Sequence, residues 1–297
     1  MPSDIKIYKE SLIGLRTTNE DIETYKQNAN SNGKAIDESF APINLFIICD
    51  GHGGKEVAAF VVPILKKHLM NPECNYPLTH QEIIKIYNYI QKELINHPKN
   101  IAENCGCTAL VTVIYYDKGN RNLQVINIGD SRSVICNDGF AIPLCKDHKP
   151  YWPEEKKRID KVNLTSKVKR KIHFDAGDWR VGDLSVSRSF GDLYNTPHVT
   201  HIPQSFTYSL LKSDKFIVMA CDGVWDVISN QEVVNFVRDN IDNNNISFYK
   251  LTDKITHKIT YPTASSQKSK NLATKLAEYA IAKGSTDNIS IIIIILK

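Results

Sequence analysis

The chain has 297 residues, 42% of them hydrophobic and spread along its length, and a formal net charge of +4. That is enough apolar material for a full core, as one large domain or two small ones, and too little charge to imply nucleic acid by itself. The N-terminus lacks the apolar stretch of a secretory signal, and no run approaches the roughly 18 apolar residues of a membrane span, so the expectation is a cytosolic protein, with the nucleus also open.

Taken in order, β-branched and aromatic runs bounded by Gly, Asp and Asn predict strands over 5–8 and 43–49. Apolar residues then recur at three- and four-residue steps over 55–69 and 80–95, predicting two helices separated by a loop around Pro72 to Pro77. Strands over 108–116 and 122–128 follow, joined by the five-residue connection Asp117-Lys118-Gly119-Asn120-Arg121, which is a hairpin and so an antiparallel pair. Further strands are predicted over 133–136 and 215–221, helices over 231–240 and 270–282, and a last, very apolar strand over 289–296. Asn-rich stretches at 27–39, 240–245 and 262–270 read as surface loops. Strand runs and helix runs are segregated, which argues an α+β fold: an antiparallel β-sandwich of two packed sheets flanked by helices, in four α-β-β-α layers. No internal repeat or convincing linker interrupts it, so a single domain over 1–297 is expected.

The chemistry gathers at strand ends. Asp50, Asp130, Asp222 and Asp287 each stand where an apolar run meets a polar loop. A carboxylate at the mouth of a buried strand is costly to desolvate, and several converging would repel one another unless cations lay between them. Seven cysteines, with no C-x-x-C pair and no flanking histidine spacing, read as reduced core residues, Cys105-Gly106-Cys107 being the one close pair among them. Oxygen ligands without a Cys or His cluster favour Mg²⁺ or Mn²⁺ over Zn²⁺.

Each segment also has a plainer reading. Arg16 ahead of Glu20-Asp21 offers a guanidinium fork for phosphate and a carboxylate pair for a hydrated cation, or is an exposed charged loop. Asp50-Gly51-His52-Gly53-Gly54 lets a carboxylate and a backbone carbonyl face one ion with a histidine nearby, or is a glycine turn before a helix. Gly129-Asp130-Ser131-Arg132 and Asp222-Gly223-Val224-Trp225-Asp226 are strand-ending turns in the plain reading, and Gly284 to Asp287 a helix stop followed by a turn.

The ordered set Arg16-x-x-x-Glu20-Asp21, Asp50-Gly51-His52-Gly53-Gly54, Gly106-Cys107-Thr108-Ala109, Gly129-Asp130-Ser131-Arg132, Asp147-His148-Lys149-Pro150, Leu184 through Asp192, Ala220 through Asp226 and Thr286-Asp287-Asn288-Ile289-Ser290 resembles the metal-dependent type 2C serine/threonine protein phosphatases. The match runs from about Gly14 to the C-terminus. The resemblance implies a β-sandwich with a two-metal centre of Mg²⁺ or Mn²⁺ in a cleft at one edge. Asp50 would bridge the ions, with Asp222 and Asp287 completing one site. The Gly51 carbonyl and, largely through water, Glu20 would hold the other. Asp130, with Asp222, resembles the residue that recruits a weaker third ion. Asp21 would position water, Arg16 would bind substrate phosphate and His52 would be the general acid.

The implied reaction is direct attack of metal-bound hydroxide on phosphoserine or phosphothreonine in phosphorylated protein substrates, without a covalent phosphoenzyme. Neither a membrane nor nucleic acid is expected as a partner, and nothing requires more than a monomer. A flap over 161–182 is expected near the cleft. Its basic stretch 161–171 reads more readily as a solvated charged loop than as a docking surface, and His198 and His201 beyond it are either near the cleft or exposed. Two other classes stay in view. A catalytically dead relative would have lost metal carboxylates, and all are present; a two-metal phosphodiesterase or nuclease would need a groove that accepts a diester.

Overall fold

A computed structural model describes residues 5–29, 42–71, 73–241 and 271–296. Of the loops expected from the Asn-rich stretches, residues 30–39, 242–245 and 262–270 lie outside the described residues. In chain order the described residues form β1 (Lys6–Leu12), β2 (Ile22–Lys26), β3 (Asn44–Cys49), β4 (Gly51–His52), α1 (Glu56–Leu69), α2 (His80–Ile95), β5 (Gly106–Cys107), β6 (Ala109–Asp117) and β7 (Asn120–Ile128). Next come β8 (Arg132–Asn137), β9 (Phe140–Pro143), α3 (Pro153–Thr165), β10 (Ile172–Asp175), β11 (Asp178–Val181) and β12 (Phe190–Gly191). Last are β13 (Gln204–Ser209), β14 (Asp214–Ala220), α4 (Asp222–Trp225), α5 (Asn230–Asn240), α6 (Leu272–Ala282) and β15 (Ile289–Ile295).

Two five-stranded antiparallel sheets form the centre, one in the order β1-β15-β14-β8-β9 and the other β13-β7-β6-β3-β2. Side chains alternate across a strand, so a strand covered on both faces must be apolar at every position. In β3, Phe46 and Ile48 join Leu110, Ile217, Met219 and Ile292 in the core between the sheets. Leu45, Ile47 and Cys49 point the other way, into a second core beneath α1 and α2. The last strand does the same: Ile292 and Ile294 face the opposite sheet, while Ile291 and Ile293 pack under α5 and α6. The four expected layers result directly, and the uninterrupted Ile run of β15 is the consequence of being buried from both sides.

The outer helices are amphipathic and capped. Thr79 accepts from the Glu82 amide while the Glu82 side chain returns to the Thr79 amide, a capping box that starts α2. Ile83, Tyr87, Ile90 and Leu94 then fall on its buried stripe. Asn271 caps α6 through the Thr274 amide.

Two local expectations need correction. The β6–β7 connection is a two-residue turn, because pairing extends to Asp117 opposite Asn120. Lys118 and Gly119 both have positive φ, 49° and 79°, the backbone of a type I′ turn whose twist suits two right-twisted strands. Residues 161–165 close helix α3 instead of belonging to a loop. That helix escapes a periodicity reading because only Glu155 and Ile159 of its residues are buried, leaving no apolar stripe to detect.

Candidate metal centre and active-site cleft

The strand ends bring the acidic residues together. Asp50 follows β3, where its carbonyl accepts from the Thr108 amide at 2.8 Å and its amide donates to Thr108 Oγ1 at 3.1 Å. Asp222 opens α4 directly after β14, whose end is pinned when the Cys221 amide donates to the Ser290 carbonyl. Asp287 precedes β15, and the neighbouring Asn288 fastens the N-terminal loop to it. Asn288 Oδ1 accepts from the Glu20 amide at 2.9 Å, and its Nδ2 donates to the carbonyls of Ile13 and Thr18. A Cβ at Gly51 would stand 2.5 Å from the Glu20 carbonyl oxygen, so only glycine lets those two segments approach.

The result is a cleft of about 470 Å³ bordered by Arg16, Glu20, Asp50, Gly51, His52, Asp130, Asp222 and Asp287. Asp21 is not on its wall. It is buried, with one carboxylate oxygen, one oxygen of Asp50 and the Cys221 sulfur all within 4.8 Å of one another. Glu20 is held by the protein itself, its carboxylate accepting from the Gly54 amide at 3.0 Å and from the Thr18 hydroxyl at 3.2 Å.

The electrostatics are those of crowded carboxylates. Burial, then the charges of Asp21, Asp222, Asp130 and Asp287, push the Asp50 carboxyl well above its ordinary range. Burial followed by Asp130 and Asp226 does the same to Asp222, with Lys149 opposing. Burial raises Asp21 from 3.8 to about 6, while Ser290 and Cys221 beside it pull the other way. Neither oxygen of Asp21 has a well-formed hydrogen bond among the described residues, and a buried carboxylate without a donor calls for a cation or a proton. The Cys221 thiol is also pushed well up, by burial and then by Asp21, Asp50 and Asp222. It stays a neutral thiol, a poor ligand, and leaves an oxygen donor set suited to a hard divalent ion. The residues present therefore fit such an ion.

Two contacts bear on the expected acid and phosphate ligand. His52 Nε2 lies 2.7 Å from Asp192 Oδ2, and Asp192, 1% exposed, is also bonded by the Ser189 hydroxyl. Burial lowers the His52 pKa, but the Asp192 carboxylate, with Asp130 and Glu20 behind it, outweighs burial and the balance is a raised value. A Cβ at Gly106 would collide with both the Asp192 carboxylate and His52 Nε2, so Gly106 makes room for the pair. Arg16, largely exposed, bonds Asp287 Oδ2 at 2.8 Å. It stands at the cleft with its guanidinium engaged by one of the expected metal ligands.

Asp192, Lys149 and Asn288 are site residues that sequence reading misses, although each sits inside one of the motifs that carry the resemblance. Asp192 and Asn288 each adjoin a strand end, whereas Lys149 lies in the loop between β9 and α3, and composition alone cannot rank such positions. His198 and His201 do not line the cleft: His198 is buried against Asn163 and His201 bonds Asn88. The cysteines are free, including Cys105 and Cys107.

Known proteins share this chain's sequence pattern and fold. The protein phosphatase 2C profile matches residues 7–289. A PP2C-like domain-containing protein of Acanthamoeba polyphaga mimivirus is 61% identical over 173 residues, 58% of this chain and 93% of that protein. Protein phosphatase 1L of Bos taurus is 38% identical over 212 residues, 67% of this chain and 56% of that protein. The chain spans less than two thirds of the length of this and several plant relatives, 48% in one protein of Arabidopsis thaliana. Among solved structures, a C. elegans sex determining protein superposes with a TM-score of 0.76 at 21% identity, over 99% of this chain and 65% of that one. A phosphatase from a pathogenic strain of Toxoplasma gondii gives 0.75 at 20% identity, over 99% and 93%. At those identities the likeness is one of fold.

Proposed function

Because the chain belongs to the protein phosphatase 2C family, we propose that it is a metal-dependent protein serine/threonine phosphatase acting on phosphoserine and phosphothreonine in protein substrates. The observation that carries this reading is the meeting of Asp50, Asp222 and Asp287 in one cleft with Asp21 buried beside Asp50. Asp50, Asp222 and Asp287 would hold one divalent ion, and Asp50 with the Gly51 carbonyl and Glu20 a second; Asp130 with Asp222 would offer a weaker third place. Bound there, Mg²⁺ or Mn²⁺ supplies the Lewis acidity that acidifies a water and neutralises phosphoryl charge.

The chain's own residues do the rest. Arg16 stands at the cleft and exchanges its contact with Asp287 for two phosphate oxygens, a fork that fits a guanidinium. Asp21, whose oxygens have no well-formed hydrogen bond among the described residues, orients the attacking water and holds its proton. Asp192 fixes the His52 ring through Nε2 and favours its protonated form, so Nδ1 is left to give a proton to the departing serine or threonine oxygen. No thiol takes part: Cys49 and Cys221 are buried, the Cys221 thiol is held neutral by burial and by the carboxylates beside it, and water displaces the alkoxide in one step. No helix among the described residues is long and apolar enough to cross a membrane, and a monomer in the cytosol or nucleus suits this reading.

The test is release of phosphate from a phosphothreonine peptide with Mg²⁺ or Mn²⁺, with and without EDTA. Turnover that EDTA does not touch, or hydrolysis of a phosphodiester with none of the phosphopeptide, would overturn the proposal.

A further inference from the structure

Lys149 puts a cation of the protein's own into the acidic wall of the cleft. Its side chain is 9% exposed, and its ammonium lies 2.6 Å from Asp130 Oδ2 and 3.4 Å from Asp178 Oδ2. Asp130 borders the cleft, whereas Asp178 opens strand β11 of the hairpin. A lysine this far from water keeps its charge only where carboxylates surround it. Here the surrounding acids belong to two different parts of the molecule.

Beyond its base, where Asn195 Nδ2 donates to Asp183 Oδ1 at 2.8 Å, the hairpin makes few other contacts. Its register pairs Ile172 with Val181, Phe174 with Trp179 and Asp175 with Asp178, so alternation puts Phe174 and Trp179 on one face and Asp178 and Arg180 on the other. Phe174 and Trp179 are 62% and 42% exposed and pack on each other edge to face. At the base, Val181 joins Ile159 and Val199 in a small apolar cluster. Arg180 spends its bonds on the carbonyls of Asp175 and Asp183, within the same segment. Among the described residues, the polar contact that carries the hairpin to the cleft floor is Lys149 to Asp178.

We propose that Lys149 is a latch coupling ion uptake at Asp130 to the position of the β10–β11 hairpin. Two cations cannot share one buried carboxylate cheaply. A divalent ion taken up by Asp130 and Asp222 competes with the ammonium for Asp130, and as the ammonium yields, the hairpin loses its tie to the floor. Lys149 is thus a positioning residue, touching neither substrate nor reacting atoms. The latch rests on the reading of the cleft as a divalent-ion centre, but it concerns which cation Asp130 holds and how that exchange moves the hairpin.

The experiment is a Mn²⁺ titration of the whole chain, monitored by calorimetry and by hydrogen–deuterium exchange of residues 172–181, for the wild type, Asp178→Asn and Lys149→Gln. In the wild type, exchange in the hairpin should quicken only as the weakest Mn²⁺ site fills. Asp178→Asn should exchange fast before any Mn²⁺ is added and bind the weakest Mn²⁺ about two- to five-fold more tightly, the scale of a partly exposed ion pair. Lys149→Gln should tighten that same step by roughly tenfold or more, since it removes the competing charge. Hairpin exchange indifferent to both Mn²⁺ and Asp178→Asn, or weaker Mn²⁺ binding in Lys149→Gln, overturns the latch while leaving the phosphatase reading intact. Absence of any Mn²⁺ uptake would sink both.

Discussion

At the scale of single residues, the cleft trades stability for chemistry. Asp50 is buried among like charges that raise its pKa, so its carboxylate is a burden to the metal-free fold and an asset once a cation neutralises it. Asp50→Asn is therefore expected to lower phosphopeptide turnover on the order of 10²–10³-fold or more, yet to melt no lower than the wild type in EDTA. A melting point well below the wild type would mean that the carboxylate supports the fold instead. The Asp192 and His52 pair yields a different signature. Asp192→Asn and His52→Ala should both slow phosphothreonine peptide by ~10²–10⁴ and an activated aryl phosphate far less, because the better leaving group needs no proton. Equal losses on the two substrates would remove His52 from the acid role.

At the scale of elements, α3 shows how a polar helix is kept in place. Glu155 on its first turn is 3% exposed, bonded to Arg188 and Ser187 and paired with Arg158. Burial alone would raise its carboxyl, but Arg188 and Arg158 prevail and hold it down at about 2. This network ties α3 to the segment that leads to Asp192, since Arg158 also donates to the carbonyls of Ser187 and His198. Glu155→Ala leaves buried guanidinium charge unpaired and should cost roughly 3–5 kcal/mol in urea denaturation. A loss below about 1 kcal/mol would show that the network is solvated. The folded pKa of Glu155 is depressed, so its contribution is present above the unfolded carboxylate range and fades as pH falls toward about 2.

At the scale of the whole molecule, the sandwich assembles a carboxylate cluster that its hydrophobic cores must tolerate. Asp21, Asp50 and Asp222 all have raised folded values, so their sign is opposite to that of Glu155. The stability they permit is full below the unfolded carboxylate pKa of about 4 and is lost as pH rises through their folded values. For Asp21, raised from 3.8 to about 6, the loss is on the order of 3 kcal/mol. In EDTA the melting temperature should fall between about pH 4.5 and about pH 7.5, and saturating Mn²⁺ should remove most of that slope. A slope unchanged by Mn²⁺ would place the ion elsewhere. The three apolar cores carry this load because each sheet is packed on both faces.

Much of this was legible in the chain itself. Apolar runs such as 45–49 and 291–295 announce strands covered on both sides, and a carboxylate close before or after such a run announces chemistry, because residue type and charge are both local properties of sequence. Elements without an apolar period were not legible: α3 is held largely by ion pairs, and of the residues of β10 and β11 only Val181 is buried. Partners far apart in number were hidden as well. His52 meets Asp192, Arg16 meets Asp287 and Asn288 ties down Glu20, and no spacing rule connects them. Residue type settled which groups could carry charge or hold a cation; only the packing of two sheets decided which of those charges share a dielectric, and it is that proximity which sets their pKa values.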